Sequence, residues 1–226
     1  MASNKEAMVQ LRTSDGFTLD AFEASAGDKR IGGVVILQEI FGVTDQLKSV
    51  ARNYAKEGFD AIVPALFDRA APKTVIPFDQ GDRGRETMMG LDKAKTMLDI
   101  AAAVEHLSRG KGGVSVMGFC WGGGLALSAA CELTLTSAVS FYGTMLQNRL
   151  GKPPKCPILF HFGATDTHSP PEVIEAVKKA IPSAETYTYE AGHAFANDAR
   201  PNFYVKDAGD TAHARTLAFL RKAHTK

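Results

Sequence analysis

The sequence predicts an α/β fold in which a mostly parallel sheet carries helices on both faces. Apolar, β-branched runs such as Gly32–Leu37 alternate with helical patterns such as Leu47–Glu57. Alternation of this kind is typical of parallel strands buried between helices. A length of 226 residues fits one large domain, residues 1–226, better than two. In such sheets ligands bind beyond the carboxyl ends of the strands, so we expect the chemistry directly after each strand.

The predicted elements follow this pattern along the chain. Asp15-Gly16 is a turn signal that joins the first two strands as a hairpin. Strands are predicted at Val9–Arg12, Phe17–Glu23, Gly32–Leu37, Phe59–Pro64, Gly113–Met117, Ala138–Phe141, Pro157–Phe162 and Thr186–Tyr189. Helices are predicted at Leu47–Glu57, Glu86–Leu107, Gly122–Cys131, Pro171–Ala180 and Thr211–Lys222. Residues 65–85, with irregularly spaced prolines and glycines, predict a long loop, and such loops are usually functional.

The composition excludes several classes of partner. Lys and Arg number 26 and Asp and Glu 25, so the net charge is +1 and no basic surplus indicates nucleic acid. The N-terminus lacks the apolar core of a signal peptide, and no segment approaches the length of a membrane-spanning helix. We therefore expect a cytoplasmic protein without a membrane partner. Without an exposed apolar heptad pattern, a monomer is the default expectation.

Cysteine usage fits the same compartment. The 3 cysteines cannot all pair, and no C-x-x-C spacing indicates a structural zinc site. The sequence offers no cluster of metal ligands, so we expect neither a metal nor an organic cofactor.

The segment Gly118–Gly124 carries the strongest chemical signal. It follows a predicted strand and precedes a predicted helix, and it reads G-x-C-x-G, a nucleophile elbow with Cys120 as the nucleophile. The amide of Trp121 would then face the oxyanion of an attacked carbonyl, and the start of the helix would favour negative charge there. The alternative is a buried structural cysteine in a glycine-rich turn.

Two later residues complete a triad in the chain order of the α/β-hydrolase fold. Asp166 lies in the turn after one predicted strand, and His193 follows the next. Taken separately, Asp166 could be a helix cap and His193 an ordinary loop histidine. Together with the elbow, they predict an acid and a base for Cys120. Two other histidines, His161 within an apolar strand and His168 beside Asp166, favour core and loop roles.

Four motifs together resemble one family. They are Gln38–Val43 (Gln-Glu-Ile-Phe-Gly-Val), the Gly118–Gly123 elbow, the Asp166 turn and Ala191–Ala196 (Ala-Gly-His-Ala-Phe-Ala). The chain resembles the dienelactone hydrolase (carboxymethylenebutenolidase) family from about Val9 to its last helix. A cysteine nucleophile combined with the Gln-Glu-Ile-Phe-Gly string distinguishes this family from serine esterases of the same fold.

The resemblance implies roles for further residues. Glu39 would contact the resting thiol and take part in its activation, although it could also be a solvated carboxylate at a strand end. The amide of Ile40 would be the second oxyanion donor beside Trp121. Tyr142 matches a pocket tyrosine that could orient Glu39 or substrate, and it could equally be a packed aromatic residue at a strand end.

The resemblance also implies that two arginines bind a substrate carboxylate. A guanidinium suits this role because it can donate two parallel hydrogen bonds to a carboxylate. Arg85 matches the first, with Arg83 and Arg69 as weaker stand-ins. Asn197 stands where the second is expected, and Arg200 lies three residues further along. The resemblance therefore supports the reaction type of the family more strongly than its exact substrate.

The sequence thus predicts a hydrolase that opens the ester bond of a dienelactone or related lactone by cysteine-based acyl transfer, with maleylacetate as the expected product. The missing arginine favours the alternative of a carboxylesterase with broader specificity. A non-catalytic binding or redox-sensing protein on a hydrolase fold is the rival from another class, although such a protein would not need Asp166.

Overall fold

The structure is a computed structural model that describes residues 5–225, so the first four residues of the N-terminal stretch considered above lie outside it. The chain forms two compact units, one up to Ser115 and one from Val116 onward.

The first unit is built on a hairpin and a parallel strand pair. Its strands are β1 (Glu6–Arg12), β2 (Thr18–Ala24), β3 (Gly32–Leu37) and β4 (Phe59–Pro64), in the order β1-β2-β4-β3. Its helices are α1 (Asp45–Lys56), α2 (Gly81–Met89) and α3 (Lys93–Ser108). The pairs β1–β2 and β2–β4 are antiparallel, and β3–β4 is parallel. Every residue of β3 and β4 is buried, as the continuous apolar runs predicted.

The predicted long loop and long helix are both wrong in detail. Residues 65–85 contain a short 3₁₀ helix, Leu66–Arg69, and the first half of α2. The predicted helix Glu86–Leu107 is two helices, because Asp92 begins a new one: its side chain accepts a hydrogen bond from the Lys95 N–H at 2.9 Å. A side-chain cap of this kind satisfies a donor that a continuous helix would have bonded to its own backbone.

Arg69 belongs to the framework of this unit. Its Nε donates to both carboxylate oxygens of the buried Asp99, at 3.0 and 2.9 Å. Its two terminal nitrogens donate to Asp15, and the guanidinium lies 4.4 Å from the centre of the Phe17 ring. Because its donors are taken up by these carboxylates, Arg69 is not available as a stand-in for an arginine that binds substrate.

The second unit is a parallel sheet with helices. Its strands are β5 (Val114–Phe119, which begins in the last two residues of the first unit), β6 (Ala138–Phe141), β7 (Ile158–Gly163) and β8 (Glu185–Tyr189). They are parallel neighbours in that order. Its helices are α4 (Trp121–Glu132), α5 (Pro171–Ala180) and α6 (Lys206–His224), with a 3₁₀ helix at Leu146–Arg149. The last helix begins at Lys206 rather than Thr211, and the other predicted bounds of this unit agree within two residues. In the first unit β1 begins at Glu6, three residues before the predicted Val9.

The predicted α/β class is confirmed, because parallel strands alternate with helices: β3 and β4 are parallel in the first unit, and all strands of the second unit are parallel. In the part of the chain that the structure describes, no helix is long and apolar enough to cross a membrane.

His161 lies in the core of the second unit, as the sequence predicted. It is fully buried on β7, where its Nδ1 hydrogen-bonds the Tyr189 hydroxyl at 2.8 Å and its Nε2 the Thr216 hydroxyl at 2.9 Å. Arg215 also donates to the Tyr189 hydroxyl, which leaves that hydroxyl to donate to Nδ1 of a neutral ring. Burial, with smaller contributions from His213 and Arg215, lowers the pKa of His161 to about 3.

This buried histidine is expected to make the fold sensitive to acid. The folded ring stays neutral down to a pKa of about 3, whereas the unfolded ring takes up a proton near its ordinary value of 6.5. Between those values the unfolded state binds the extra proton, so stability falls by about 1.4 kcal/mol per pH unit as the pH is lowered. At pH 5 the loss relative to pH 6.5 is about 2 kcal/mol.

Urea unfolding between pH 5 and 6.5 measures this slope. His161→Gln should reduce the slope by about 1 kcal/mol per pH unit. Tyr189→Phe, which removes one partner and keeps the imidazole, should lower stability and keep the slope. An unchanged slope in His161→Gln would mean that other groups cause the acid sensitivity.

Candidate active site

Cys120 stands between β5 and α4 with no loop on either side. Its φ and ψ are 54° and −118°, a region that non-glycine residues rarely adopt. Its N–H donates to the Phe141 carbonyl at 3.0 Å, and its own carbonyl accepts from Gly123, Gly124 and Thr144 at 2.9, 3.2 and 3.1 Å. Because both backbone groups are bonded, the strained conformation is fixed by its surroundings.

The glycines around Cys120 are required by close contacts. A Cβ on Gly118 would lie 2.0 Å from the Gly122 carbonyl oxygen, and one on Gly123 would lie 2.7 Å from the Gly143 Cα. Strand β5 and helix α4 therefore approach too closely for a side chain at Gly118, and α4 lies too close to the turn after β6 for one at Gly123. Trp121 is the first residue of α4.

Asp166 and His193 meet at the ends of β7 and β8. The Asp166 carboxylate accepts a hydrogen bond from Nδ1 of His193 at 2.8 Å, and Asp166 is only 2% exposed. The two loops are joined by the Thr165 N–H, which donates to the Ala191 carbonyl at 3.1 Å. Asp166 does not cap α5, whose N-cap is Pro170, so the reading of Asp166 as a helix cap is wrong.

Cys120 lies within hydrogen-bonding range of the same histidine. Burial opposes a charged ring, but the negative charge of Cys120 and the hydrogen bonds of Asp166 and Cys120 outweigh it and raise the pKa of His193 to about 10. A histidine that a carboxylate orients beside a thiol can accept the proton of that thiol, which is the step that readies a cysteine for attack. The structure therefore brings the three predicted triad residues together.

Aromatic rings surround His193. Tyr142 is fully buried, with a φ of 37°, and its ring meets those of His193 and Phe195 edge-on at 5.3 Å each. This position packs Tyr142 against His193, which agrees with the alternative of a packed aromatic residue at a strand end. The ring of His168 lies on the His193 ring with centroids 4.5 Å apart.

The sequence analysis missed the contacts of two of these residues with the site. His168 was assigned to a loop, and Phe195 was used only as part of a motif. The signal that could have found them is their spacing, because each stands two residues after a triad member.

In the first unit, the turn after β3 is tightly held. Gln38 is fully buried; its amide donates to the Glu39 carbonyl at 3.2 Å and its Oε1 accepts from the Leu66 N–H at 3.1 Å. Glu39 itself is 4% exposed, so the alternative of a solvated carboxylate is wrong. The Ile40 carbonyl packs against Gly84 of α2, where a Cβ would lie 2.2 Å away.

The predicted carboxylate-binding residues have different environments. Arg85 is exposed on α2, directly after the glycine that packs on Ile40, whereas Arg83 donates to Gln80 at 3.1 Å. Asn197 is 2% exposed, and its side-chain oxygen accepts from the Ala199 N–H at 3.1 Å.

A buried turn of this kind does not support the predicted contact of Asn197 with substrate, and we leave Asn197 out of the site. Arg200 lies in the same segment, with its guanidinium 4.1 Å from the centre of the exposed Phe203 ring.

The strained Cys120 between a strand and a helix, with an acid and a histidine after later strands, is the arrangement of an α/β hydrolase. A model of the dienelactone hydrolase family matches residues 19–224. The chain belongs to this family, and it is a carboxylic ester hydrolase.

Individual relatives agree with the family. A carboxymethylenebutenolidase of Pseudomonas putida is 32% identical over 96% of this chain and 97% of its own length. A carboxymethylenebutenolidase of Pseudomonas sp. strain P51 is 34% identical over 84% of each chain. The crystal structure of a candidate dienelactone hydrolase from Klebsiella pneumoniae superposes with a TM-score of 0.83 at 26% identity, covering 95% of this chain and 98% of the other.

Proposed function

We propose that this protein opens a dienelactone or a related lactone by acyl transfer to Cys120. The observation that carries the proposal is the hydrogen-bonded set of Cys120, His193 and Asp166, with the thiol at a strained junction between β5 and α4. Neither a structural cysteine nor a pure binding protein requires a buried carboxylate to orient a histidine beside a thiol.

The reaction begins when the Cys120 thiolate adds to the ester carbonyl. The amide of Trp121, at the positive end of α4, stabilises the oxyanion, and by family resemblance the amide of Ile40 does the same. The tetrahedral intermediate collapses to a thioester and expels an enolate, which takes its proton from His193 or from the water that it activates. Water then hydrolyses the thioester, which regenerates Cys120 and releases a diacid; for a dienelactone the product is maleylacetate.

Glu39 enters the proposal through the family resemblance. A carboxylate near a thiol disfavours the thiolate, so Glu39 would keep Cys120 protonated until substrate displaces it. This control would protect the thiol from oxidation between turnovers. The burial of Glu39 in the turn after β3 is compatible with a held carboxylate.

Arg85 is the residue that we propose to bind the substrate carboxylate, because it is exposed on α2 and stands, by family resemblance, at the place of the first of the two arginines. Arg200 is the second candidate for this role.

One observation favours a second candidate function, a carboxylesterase with broader specificity: the place of the second arginine is taken by the buried Asn197, which cannot supply a charge. Such an enzyme would share the triad and would not require a carboxylate on its substrate.

Turnover of a dienelactone, followed by its ultraviolet absorbance, tests the proposal. The wild-type protein should open the lactone, and quenched reactions should show the acyl mass on the peptide that contains Cys120. Arg85→Ala should lower kcat/KM for the dienelactone by about 10- to 100-fold, the effect of losing a hydrogen-bonded charge pair. It should not change the hydrolysis of p-nitrophenyl acetate.

Arg83→Ala is the matched control, since it removes another arginine of α2, one whose guanidinium donates to Gln80. Equal loss in both variants would contradict the assignment of Arg85. Rapid cleavage of neutral esters through Cys120 without any dienelactone turnover would establish the broader esterase instead. If the protein turns over neither substrate and no acylated Cys120 is found, the hypothesis of a non-catalytic binding protein would be favoured.

A further inference from the structure

His168 is a second imidazole at the catalytic histidine. Its side chain is exposed, and its ring is in contact with the ring of His193, with centroids 4.5 Å apart and planes inclined by 59°. Its backbone N–H donates to the Asp166 carboxylate at 2.8 Å, on the oxygen that His193 does not use. The residue is therefore bonded to one triad member and packed on another.

The segment that carries His168 is hydrogen-bonded to its surroundings. The next residue, Ser169, is 1% exposed; its hydroxyl donates to the Gly143 carbonyl at 2.6 Å and its N–H to the Asp166 carbonyl at 3.3 Å. Pro170 and Pro171 follow and begin α5. The backbone on both sides of the His168 side chain is thus tied to the Asp166 turn, which favours the contact of its ring with His193.

The position of His193 during the reaction defines what His168 can touch. The atom that receives or gives a proton must come within about 2.6–3.2 Å of the His193 nitrogen that faces Cys120. During acylation that atom belongs to the leaving group or to the water next to it. A ring that is exposed and in contact with the His193 ring is therefore a neighbour of the group that exchanges a proton with His193.

We propose that His168 is a specificity-determining residue that hydrogen-bonds the leaving-group part of the substrate and favours one that carries a carboxylate. The inference rests on the proposed acyl transfer through Cys120. An imidazole offers at least one N–H donor in either protonation state, and it donates two when protonated. His168 thereby supplies polar recognition beside a triad whose neighbouring segment holds the buried Asn197 in place of an arginine.

Two pairs of esters separate the leaving-group side from the acyl side. The first pair is 3-carboxyphenyl acetate and its methyl ester, 3-(methoxycarbonyl)phenyl acetate. The second pair is p-nitrophenyl hydrogen adipate and p-nitrophenyl methyl adipate. His168→Phe keeps a ring on His193 and removes both nitrogens. Thr167→Ala is the matched control, because Thr167 is the exposed neighbour in the same turn.

His168→Phe should lower kcat/KM for 3-carboxyphenyl acetate by about tenfold, the effect of losing one hydrogen bond to a charged group. The other three esters should change by less than about twofold, and Thr167→Ala should leave all four unchanged, as expected for a surface substitution. Equal loss on all four esters would mean that His168 only supports His193, and loss confined to the adipate carboxylate would place the contact on the acyl side. Either result, or no change, overturns the proposal.

Failure of the underlying acyl transfer is recognised separately. If the wild-type protein cleaves none of the four esters, or if Cys120→Ala cleaves them equally fast, the proposed function itself is wrong. That comparison is made before any variant of His168 is examined, and the role of His168 falls with it.

Discussion

Replacing Cys120 by alanine is expected to lower kcat for ester hydrolysis by about 10⁴-fold, because nucleophilic attack is lost and only the oxyanion donors and substrate binding remain. His193→Ala should cost about as much, since the thiolate and the imidazolium that stabilises it act as one unit. The double variant should therefore be no worse than either single variant. The measurement is kcat for p-nitrophenyl acetate, with circular dichroism to confirm that each variant is folded.

Cys156→Ala is the control for this series. Burial, with a smaller contribution from Cys131, raises the pKa of Cys156 to about 11, so this thiol is protonated at neutral pH and cannot act as a nucleophile. The variant should keep its kcat and lose a little stability. If Cys120→Ala retained more than a tenth of the wild-type kcat, Cys120 would not be the nucleophile.

Gly118→Ala is expected to destabilise the fold by about 4 kcal/mol or more, or to prevent folding. The added Cβ would lie 2.0 Å from the Gly122 carbonyl oxygen, 2.3 Å from its carbon and 2.9 Å from the Gly123 nitrogen. All three atoms are backbone at the start of α4, so no side-chain rotation can relieve the clash. Relief would require moving the helix away from β5, which would also displace Cys120.

Urea unfolding of the variant measures this loss, with the yield of folded protein as the readout if it is unstable. Gly151→Ala is the matched control in the same unit, because a Cβ there meets nothing within 4 Å. That change should be neutral or stabilise by up to about 1 kcal/mol through the unfolded state. A Gly118→Ala protein as stable as wild type would mean that the junction between β5 and α4 is looser than described.

Local sequence was sufficient for most of the secondary structure. Buried parallel strands such as Phe59–Pro64 and Ala138–Phe141 were predicted with their observed bounds, because a short, continuous apolar run is typical of a strand that is buried on both faces. The break between α2 and α3 was also encoded locally, by Gly90 and Asp92, but the apolar stripe through Glu86–Leu107 concealed it.

Some residues of the candidate site could likewise be predicted from the sequence, and others could not. Cys120, Asp166 and His193 could be predicted because the fold places its chemistry after strands in a fixed chain order, and the structure brings these three together. Tyr142 could not be assigned between pocket and core, and its full burial against His193 became clear only from the structure.

The sequence by itself therefore determined the fold class and the family, and it predicted the three triad residues, because each depends on short segments with distinctive periodicity or spacing. Only the tertiary structure decided that Arg69 is bound to Asp99, that Asn197 is buried in a turn and that His168 lies on His193. The physical reason is the range of the interactions. Burial and the pairing of polar groups depend on residues far apart in the chain, which no local pattern records.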